Sequence, residues 1–176
     1  MLMKQYIHII SLGLICLWGC TGSNSESNQE SAPVKTESET KEVSKPQRVE
    51  EITIRTQGNS LTEMSYDLQE ISVTEGSKVK ITLINQATDS AMIHNIVFVY
   101  EGTRNATATA GLKAGPEKDY VPDLITVIAA SHLAKPGETV ALEFDAPEVG
   151  SYYFICTYPG HWQKMTGVFK VTALAG

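Results

Sequence analysis

The amino-acid sequence predicts an all-β fold: a β-sandwich of about eight strands with a short helical flap, preceded by a disordered tether. Two observations support this prediction. From Glu51 onwards, short runs of alternating or continuously apolar residues recur along the chain, which is typical of strands. Between these runs lie clusters of turn-forming residues, such as Gln57-Gly58-Asn59 and Lys135-Pro136-Gly137-Glu138.

Residues 1–19 have the layout of an export signal, with Lys4 near the start and an apolar run from Ile7 to Trp18. This run of about a dozen residues is too short to cross ~30 Å of hydrocarbon as a helix, so cleavage is favoured over a retained membrane span. Leu17-Trp18-Gly19-Cys20 resembles the bacterial lipobox, in which the cysteine is lipidated and becomes the mature N-terminus. We therefore expect Cys20 to anchor the protein to a membrane of the bacterial cell envelope, on its periplasmic face or at the cell surface. The alternative is ordinary cleavage, which releases a soluble periplasmic protein.

Residues 20–50 are predicted to form a flexible linker. After Cys20 the segment consists mainly of Ser, Asn, Glu, Gln, Lys and Thr, and it has no aromatic residue. Such a composition cannot bury enough apolar surface to fold. As a flexible chain, ~30 residues have an r.m.s. reach of about 30 Å. The predicted organisation is a signal at 1–19, a lipidated tether at 20–50 and one globular domain at 51–176.

Seven runs within 51–176 fit β-strands by their alternation or by their β-branched and aromatic content. They are Ile52–Arg55, Ile71–Val73, Val79–Leu83, Ile96–Tyr100, Val140–Phe144, Tyr152–Ile155 and Val168–Val171. The exception is the segment from Arg104 to Gly115, where alanine and threonine cluster before Gly115-Pro116. This segment predicts a short helix or flap outside the sheets.

Charge and composition exclude some classes of function. The formal net charge is −6 and no basic stripe is present, so the protein is not expected to bind nucleic acid. No pair of carboxylates and no Ser-His-Asp set can be placed at a common site. We therefore expect neither an enzyme nor a small-molecule substrate.

Cys156 is the only cysteine beyond residue 20. A single thiol in an exported domain is an oxidation liability unless it is buried or ligated. Cys156, His161 and Met165 follow one another at Cys-x4-His-x3-Met spacing, and the intervening Tyr158-Pro159-Gly160 predicts a turn that lets them converge. One thiolate, two imidazoles and a long axial thioether suit a blue copper centre, so the cluster predicts a copper ligand loop.

Two histidines compete for the remaining ligand position, since His8 falls within the predicted signal. His94 lies at the head of a predicted strand, where its ring could point inward. His132 lies in a loop with no second polar ligand nearby. A lone strand histidine is usually a satisfied core residue, but the Cys156–Met165 cluster favours His94 as a ligand.

These residues resemble the azurin branch of the cupredoxins. The matching positions are Cys156–His161 with Met165 and Gly167, His94-Asn95 after Met92, Lys118–Tyr120, Val127–Ala129, Gln57–Asn59, Met64–Tyr66 and Ile71–Val73. The resemblance extends over the segment from Glu51 to Val171. It implies an eight-stranded Greek-key sandwich that binds one copper ion, cycling between Cu(I) and Cu(II). The ligands it implies are His94, Cys156 and His161, with Met165 as a weak axial ligand.

The resemblance also implies a second axial contact, from the backbone carbonyl of the residue before His94. That residue is usually glycine in azurins and is Ile93 here, whose β-branch restricts the backbone. The N-terminal disulfide positions of the family fall at Ile52 and Ser77, so that disulfide is absent. Other packing must hold the first strand.

The surroundings of the ligands suggest how electrons enter and leave. Asn95 is interpreted as the residue that ties the two ligand loops together. We expect the outer ring edge of His161 to face solvent. Around it we expect an apolar patch that consists of Met92, Pro159, Gly160 and Trp162. Redox proteins, such as c-type cytochromes or respiratory enzymes, are expected to dock there briefly. The alternative for Trp162 is simple packing on the surface.

The leading hypothesis for function is a membrane-tethered shuttle for single electrons. A second hypothesis is a module that stores or delivers copper with the same ligands. A third is a metal-free adhesion sandwich, which requires the cysteine, histidines and methionine to converge by accident.

Overall fold

Nine strands form two packed sheets in the computed structural model, which describes residues 46–175. They are β1 Val49–Gln57, β2 Ser65–Tyr66, β3 Glu70–Thr74, β4 Lys78–Asn85, β5 Val97–Tyr100, β6 Val127–Ala130, β7 Thr139–Asp145, β8 Gly150–Ile155 and β9 Thr166–Thr172. The first sheet has the order β2-β1-β4-β7, and the second has the order β3-β9-β8-β5-β6. The predicted β-sandwich is confirmed, and each of the seven predicted runs overlaps a strand. The predicted signal, Cys20 and residues 20–45 of the predicted linker lie outside the described residues.

The core lies between the two sheets and follows from the alternation of apolar residues. In β4, Val79, Ile81 and Leu83 all face inward and are buried. Opposite them, Phe98 of β5 packs against Phe169 of β9, with ring centroids 5.0 Å apart. Because each such side chain contributes about 1.5–3 kcal/mol when fully buried, this layer supplies the main driving force for folding.

The first strand is held without a disulfide. β1 pairs in parallel with β4 over eight residues, from Val49 opposite Lys78 to Thr56 opposite Asn85. The Glu50 carboxylate also accepts the backbone N–H of Thr74 at 2.9 Å. These contacts replace the cross-link that is missing at Ile52 and Ser77. They also place the start of the folded body before residue 51, within the predicted linker.

The predicted helical flap is confirmed as helix α1, Arg104–Ala114, which a 3₁₀ turn at Pro116–Lys118 follows. Gly115 ends the helix with a φ of 76°, and the next residue, a proline, cannot donate to continue it. The helix covers the outer face of the second sheet, where a small apolar cluster contains Val97, Val99, Ala108 and Ile155, with Trp162 packed against it. On the helix, position 111 requires glycine, because the backbone of Gly111 lies so close to the Tyr120 carbonyl that a Cβ would collide with it.

The loops that carry the predicted ligands meet at one end of the sandwich. β4 and β8 end there, at Asn85 and Ile155, and β5 begins there at Val97. At the other end, β1 and β4 begin side by side, at Val49 and Lys78. We call the first end the ligand pole and the second the opposite pole. Within residues 46–175, no helix is both long and apolar enough to span a bilayer.

Candidate metal centre

The loop between β8 and β9 reverses through a tight turn. The N–H of His161 donates to the carbonyl of Tyr158 at 3.1 Å, and Pro159 and Gly160 occupy the central positions. Gly160 has a φ of 83°, the conformation that the second central residue of a type II turn requires. Proline is favoured directly before it because its own φ is already restricted to about −65°. The Tyr-Pro-Gly-His sequence therefore builds the turn locally.

A second turn closes the same loop. The N–H groups of Lys164 and Met165 donate to the carbonyl of His161, at 3.0 and 2.9 Å. The N–H of Cys156 donates to the carbonyl of Met165 at 3.0 Å, so the loop ends beside its start. The side chains of Cys156 and Met165 are both fully buried in the main core. The two turns therefore bring Cys156, His161 and Met165 together in space.

His94 reaches this loop because β5 lies beside β8. Val97 pairs with Ile155, so the residues that precede β5 lie next to Cys156. His94 itself is outside β5, contrary to the expectation that it heads a strand. It forms an isolated bridge with Ala134: the His94 N–H donates to the Ala134 carbonyl at 3.1 Å, and the Ala134 N–H donates back at 2.7 Å.

Three potential ligand atoms form a compact triangle. The sulfur of Cys156 lies 4.0 Å from Nδ1 of His94 and 3.8 Å from Nδ1 of His161, and the two nitrogens are 3.1 Å apart. The point equidistant from the three atoms is about 2.1 Å from each, within the ~2.0–2.3 Å bonds that imidazole nitrogen and thiolate sulfur form with a first-row metal such as zinc. The donors are therefore spaced for one metal ion. No other cluster of metal-ligating side chains was found among the described residues.

The protonation states also fit a metal site. Burial, with a smaller contribution from the charge of His161, lowers the pKa of His94 to about 3. Burial lowers the pKa of His161 to about 4, so both imidazoles are neutral near pH 7 and free to bind a metal. Burial raises the pKa of the Cys156 thiol to about 12, although backbone N–H groups of Asn95 and Tyr158 donate to its sulfur and oppose this rise. The thiol proton is therefore released by metal binding rather than by pH.

Two predicted positions remain, the alternative ligand His132 and the backbone carbonyl of Ile93. His132 is not part of the cluster: its side chain is 86% exposed, and its Nδ1 lies 2.7 Å from the Asp119 carboxylate. Ile93 directly precedes His94, and its N–H donates to the Ala91 carbonyl at 3.0 Å. A contact between the Ile93 carbonyl and copper stays a prediction.

Asn95 connects the two ligand loops. Its side-chain oxygen accepts the N–H of Thr157 at 2.9 Å, and its side-chain nitrogen donates to the hydroxyl of Thr157 at 2.8 Å. The same nitrogen donates to the carbonyl of Asp119 at 2.8 Å. Asp119 and Tyr120 both have positive φ, at 53° and 56°, a conformation that non-glycine residues adopt at a cost. This strained turn presents the Asp119 carbonyl to Asn95.

Two buried polar residues near the site were missed from the sequence. Asn85 donates to the carbonyls of Met92 and Ala134, both at 2.8 Å, and so holds the chain on either side of His94. The signal for Asn85 was a polar residue at an inward position of β4. Tyr66 is buried and donates its hydroxyl to the Asn95 carbonyl at 2.6 Å.

The expectation that the outer ring edge of His161 faces solvent, with Met92 in the apolar patch around it, is wrong. His161 is 1% exposed and Met92 is 5% exposed, because both side chains lie within the packed ligand pole. Pro159 and Trp162 are partly exposed and Gly160 is exposed. Trp162 also packs against the small cluster under α1, the simpler of the two roles considered for it.

A family model described as copper binding proteins of the plastocyanin/azurin family matches residues 52–172. The chain belongs to this family. The match covers both ligand loops and all strands from β2 to β9.

Curated members of the family are similar across the same region. Auracyanin-A of Chloroflexus aurantiacus is 40% identical over 117 residues, which are 65% of this chain and 71% of that protein. Azurin-2 of Alcaligenes xylosoxydans xylosoxydans is 32% identical over 115 residues, which are 61% of this chain and 89% of that protein.

Solved structures agree with the sequence matches. The structure of auracyanin A, described as a "blue" copper protein from Chloroflexus aurantiacus, has a TM-score of 0.63 and 37% identity and covers 70% of this chain and 99% of that one. The dithionite-reduced auracyanin of Roseiflexus castenholzii has a TM-score of 0.63 and 35% identity, with 69% and 96% covered.

Family membership and the donor set together identify a type 1 copper site that holds one copper ion and transfers single electrons. Copper supplies the one-electron redox change when bound. The protein contributes fixed donors: Cys156, His94 and His161 are buried, and their loops are tied by Asn95. Burial also excludes water from the donors, and a rigid, dry site reorganises little as its charge changes.

Proposed function

We propose that this chain is a dedicated one-electron carrier that works while lipid-anchored to a bacterial membrane. It exchanges electrons with redox proteins such as c-type cytochromes or respiratory enzymes. The observation that carries the carrier role is the buried triangle of Cys156, His94 and His161, closed by Met165. A copper ion held by these four residues would have all its donor positions supplied by the protein and no open position for a substrate, which supports a role other than catalysis.

Reversible redox chemistry separates this function from copper storage or delivery. The purified copper-loaded protein should show an intense visible absorption from a copper–thiolate bond that disappears on anaerobic reduction and returns on oxidation. The buried donors should also make copper slow to exchange with a chelator. Rapid loss of copper to the chelator, without a reversible colour change, would instead indicate a storage or delivery module.

The anchor is proposed from Leu17-Trp18-Gly19-Cys20. Several acyl chains on Cys20 would give stable membrane attachment, because each buried methylene contributes about 0.8 kcal/mol. Cys20→Ser should move the protein from the membrane to the soluble fraction, while Cys16→Ser, the matched control, should leave it membrane-bound. Mass spectrometry that finds an unmodified N-terminus on the mature wild-type protein would refute the anchor and favour a soluble periplasmic carrier.

Electron exchange with partners is proposed to use the exposed part of the predicted docking patch, at Pro159, Gly160 and Trp162. Asn95 is proposed to keep the ligand loops in register during exchange, through its hydrogen bonds to Thr157. Trp162→Asp should slow electron exchange with a partner protein and leave the visible spectrum unchanged. An unchanged rate would remove Trp162 from the patch.

A further inference from the structure

A groove beside the ligand pole reaches the ligand loop from solvent. The ring of His161 and the side chain of Met92 are covered. The ligand loop is instead accessible from the side, where a groove runs between it and helix α1. Leu112 and Thr109 line the helical wall. The other wall is the ligand loop itself, at Thr157, Tyr158, Pro159, Gly160, Trp162 and Gln163.

The loop wall of this groove is directly connected to the ligands. Thr157 follows Cys156 in the chain, and Gly160 and Trp162 flank His161. The Tyr158 ring packs against the His161 ring, with centroids 4.8 Å apart. A partner seated in the groove would therefore touch the covalent neighbours of two copper ligands.

The size and lining of the groove favour a protein side chain over a small ligand. Its volume is about 210 Å³, below the roughly 300–1,000 Å³ that is typical of small-molecule sites. Leu112, which is 54% exposed, gives the groove an apolar surface that an apolar side chain of a partner would cover. Trp162, also partly exposed, faces the same space.

The charge around the groove is opposite to that of the whole chain. The exposed Lys113 and Lys164 directly follow the lining residues Leu112 and Gln163, and Lys118 follows α1 in the adjoining 3₁₀ turn. Within residues 46–175, these three lysines form no ion pair, whereas other lysines pair with carboxylates on the sheet faces and at the opposite pole. Lys118 has an acidic neighbour on each side in sequence, Glu117 and Asp119, and the Asp119 carboxylate lies 2.7 Å from Nδ1 of His132. The chain as a whole has a net charge of −6.

We propose that the groove between α1 and the ligand loop is the electron-exchange port, and that it docks the acidic face of a redox protein. An apolar projection of the partner contacts Leu112 and Trp162 while its carboxylates face Lys113, Lys118 and Lys164. One electron passes through the ligand loop, so that one copper ion is oxidised as one partner centre is reduced, or the reverse. This inference rests on the electron-carrier function and adds the location of the port and the charge of the partner.

The test uses the copper-loaded protein with two c-type cytochromes, one of net negative and one of net positive charge. Stopped-flow rates should be higher with the acidic cytochrome at low salt and should fall with ionic strength. Lys113→Glu with Lys164→Glu should slow this reaction about tenfold, within the range known for electrostatic steering. Leu112→Asp should also slow it. The matched control, Lys80→Glu with Lys170→Glu, adds the same charge on sheet surfaces and should change the rate less than twofold.

The outcomes separate the port from the carrier function. If the groove variants and the control slow the acidic cytochrome equally, or if the basic cytochrome reacts faster, the port is refuted. Binding to vesicles of anionic lipid, combined with unchanged cytochrome rates in the groove variants, would also refute it and assign the lysines to a membrane. Reversible oxidation of every variant by a small inorganic reagent, with an unchanged spectrum, would show that the copper site itself is intact. Failure of the wild type in that last measurement would refute the carrier function instead.

Discussion

The two ends of the sandwich are both built from loops between strands, yet most of the buried polar side chains lie at the ligand pole, whereas the opposite pole buries Ser77. At the ligand pole, five buried polar side chains are hydrogen-bonded to one another or to backbone; they are Thr56, Asn85, Asn95, Ser131 and Thr157. The two histidine ligands are buried beside them, and Nε2 of His94 has no hydrogen-bond partner. At the opposite pole, the ion pair of Lys78 and Asp145 lies at the surface, where such pairs contribute little. A buried network fails when one member is lost, whereas a solvated end tolerates substitution. This difference is the physical basis of a rigid copper site.

The largest effect should come from removing the thiolate. Cys156→Ser keeps the size of the side chain but removes the soft donor that copper prefers. We expect complete loss of the copper–thiolate absorption and loss of most of the increase in melting temperature that copper gives the wild type. Visible spectroscopy and thermal denaturation with and without copper measure both. An intense copper–thiolate band in this variant would contradict the assignment of Cys156.

The copper-free protein should lose stability in acid because of the ligand pole. His94 and His161 have folded-state pKa values of about 3 and about 4, both below the unfolded value of about 6.5. Between these values the unfolded chain binds more protons, so stability rises with pH up to about 6.5 and is lost as pH falls towards about 3. The loss should be on the order of a few kcal/mol.

Urea denaturation of the copper-free protein at a series of pH values measures this dependence. At the opposite pole, hydrogen bonds from Lys78 and Gln47 lower the pKa of Asp145, so its contribution is present at higher pH and is lost only as pH falls through that lowered value. Stability that is flat between pH 4 and pH 6.5 would contradict the burial of neutral histidines at the ligand pole.

Asn85 tests whether the hydrogen-bonded network of the ligand pole acts as a unit. Asn85→Ala leaves the carbonyl of Met92 without its donor, leaves the carbonyl of Ala134 with only the N–H of His94, and removes the acceptor of the Thr56 hydroxyl. We expect a loss of about 2–4 kcal/mol in the free energy of unfolding, together with a shifted visible spectrum, because the chain around His94 is released.

The matched control for Asn85 is Gln86→Ala, which changes an exposed neighbour and should cost less than about 0.5 kcal/mol. Urea denaturation of both variants and visible spectra of their copper forms make the comparison. Equal stability of the two variants would show that the buried amide has no special role.

Gly160 and Gly76 allow the effect of the same substitution to be compared between the two poles at similar backbone strain. Gly160 at the ligand pole and Gly76 at the opposite pole both have positive φ, and a Cβ at either would meet no atom within 4 Å. Replacing each by alanine should therefore cost a similar ~1–2 kcal/mol. Only Gly160→Ala should change the copper spectrum, because its turn places His161. A spectral change in Gly76→Ala would show that the poles are coupled through the sheets.

Most strands could be predicted because apolar alternation reports directly which face of a strand is buried. The exceptions have physical causes. β2, Ser65–Tyr66, is too short to show a period, and β6, Val127–Ala130, is only partly buried on both faces. The start of β1 at Val49 was assigned to the linker because its residues alternate weakly and gain their order from pairing with β4.

The chemistry of the ligand loop can be predicted from a short stretch of sequence. Cys156, His161 and Met165 are close in the chain, and Pro159 with Gly160 builds the turn between them through local dihedral preferences and short-range hydrogen bonds. The choice of copper follows from the donor types alone.

The surroundings of that loop depend on how distant segments pack together. The pairing of β5 with β8 selects His94, which lies 62 residues from Cys156 in the chain, and leaves His132 at the surface. Packing also covers His161 and Met92 and opens the groove beside α1. In these loops, burial and access depend on contacts between distant segments, because loops lack the alternation that reports burial in strands.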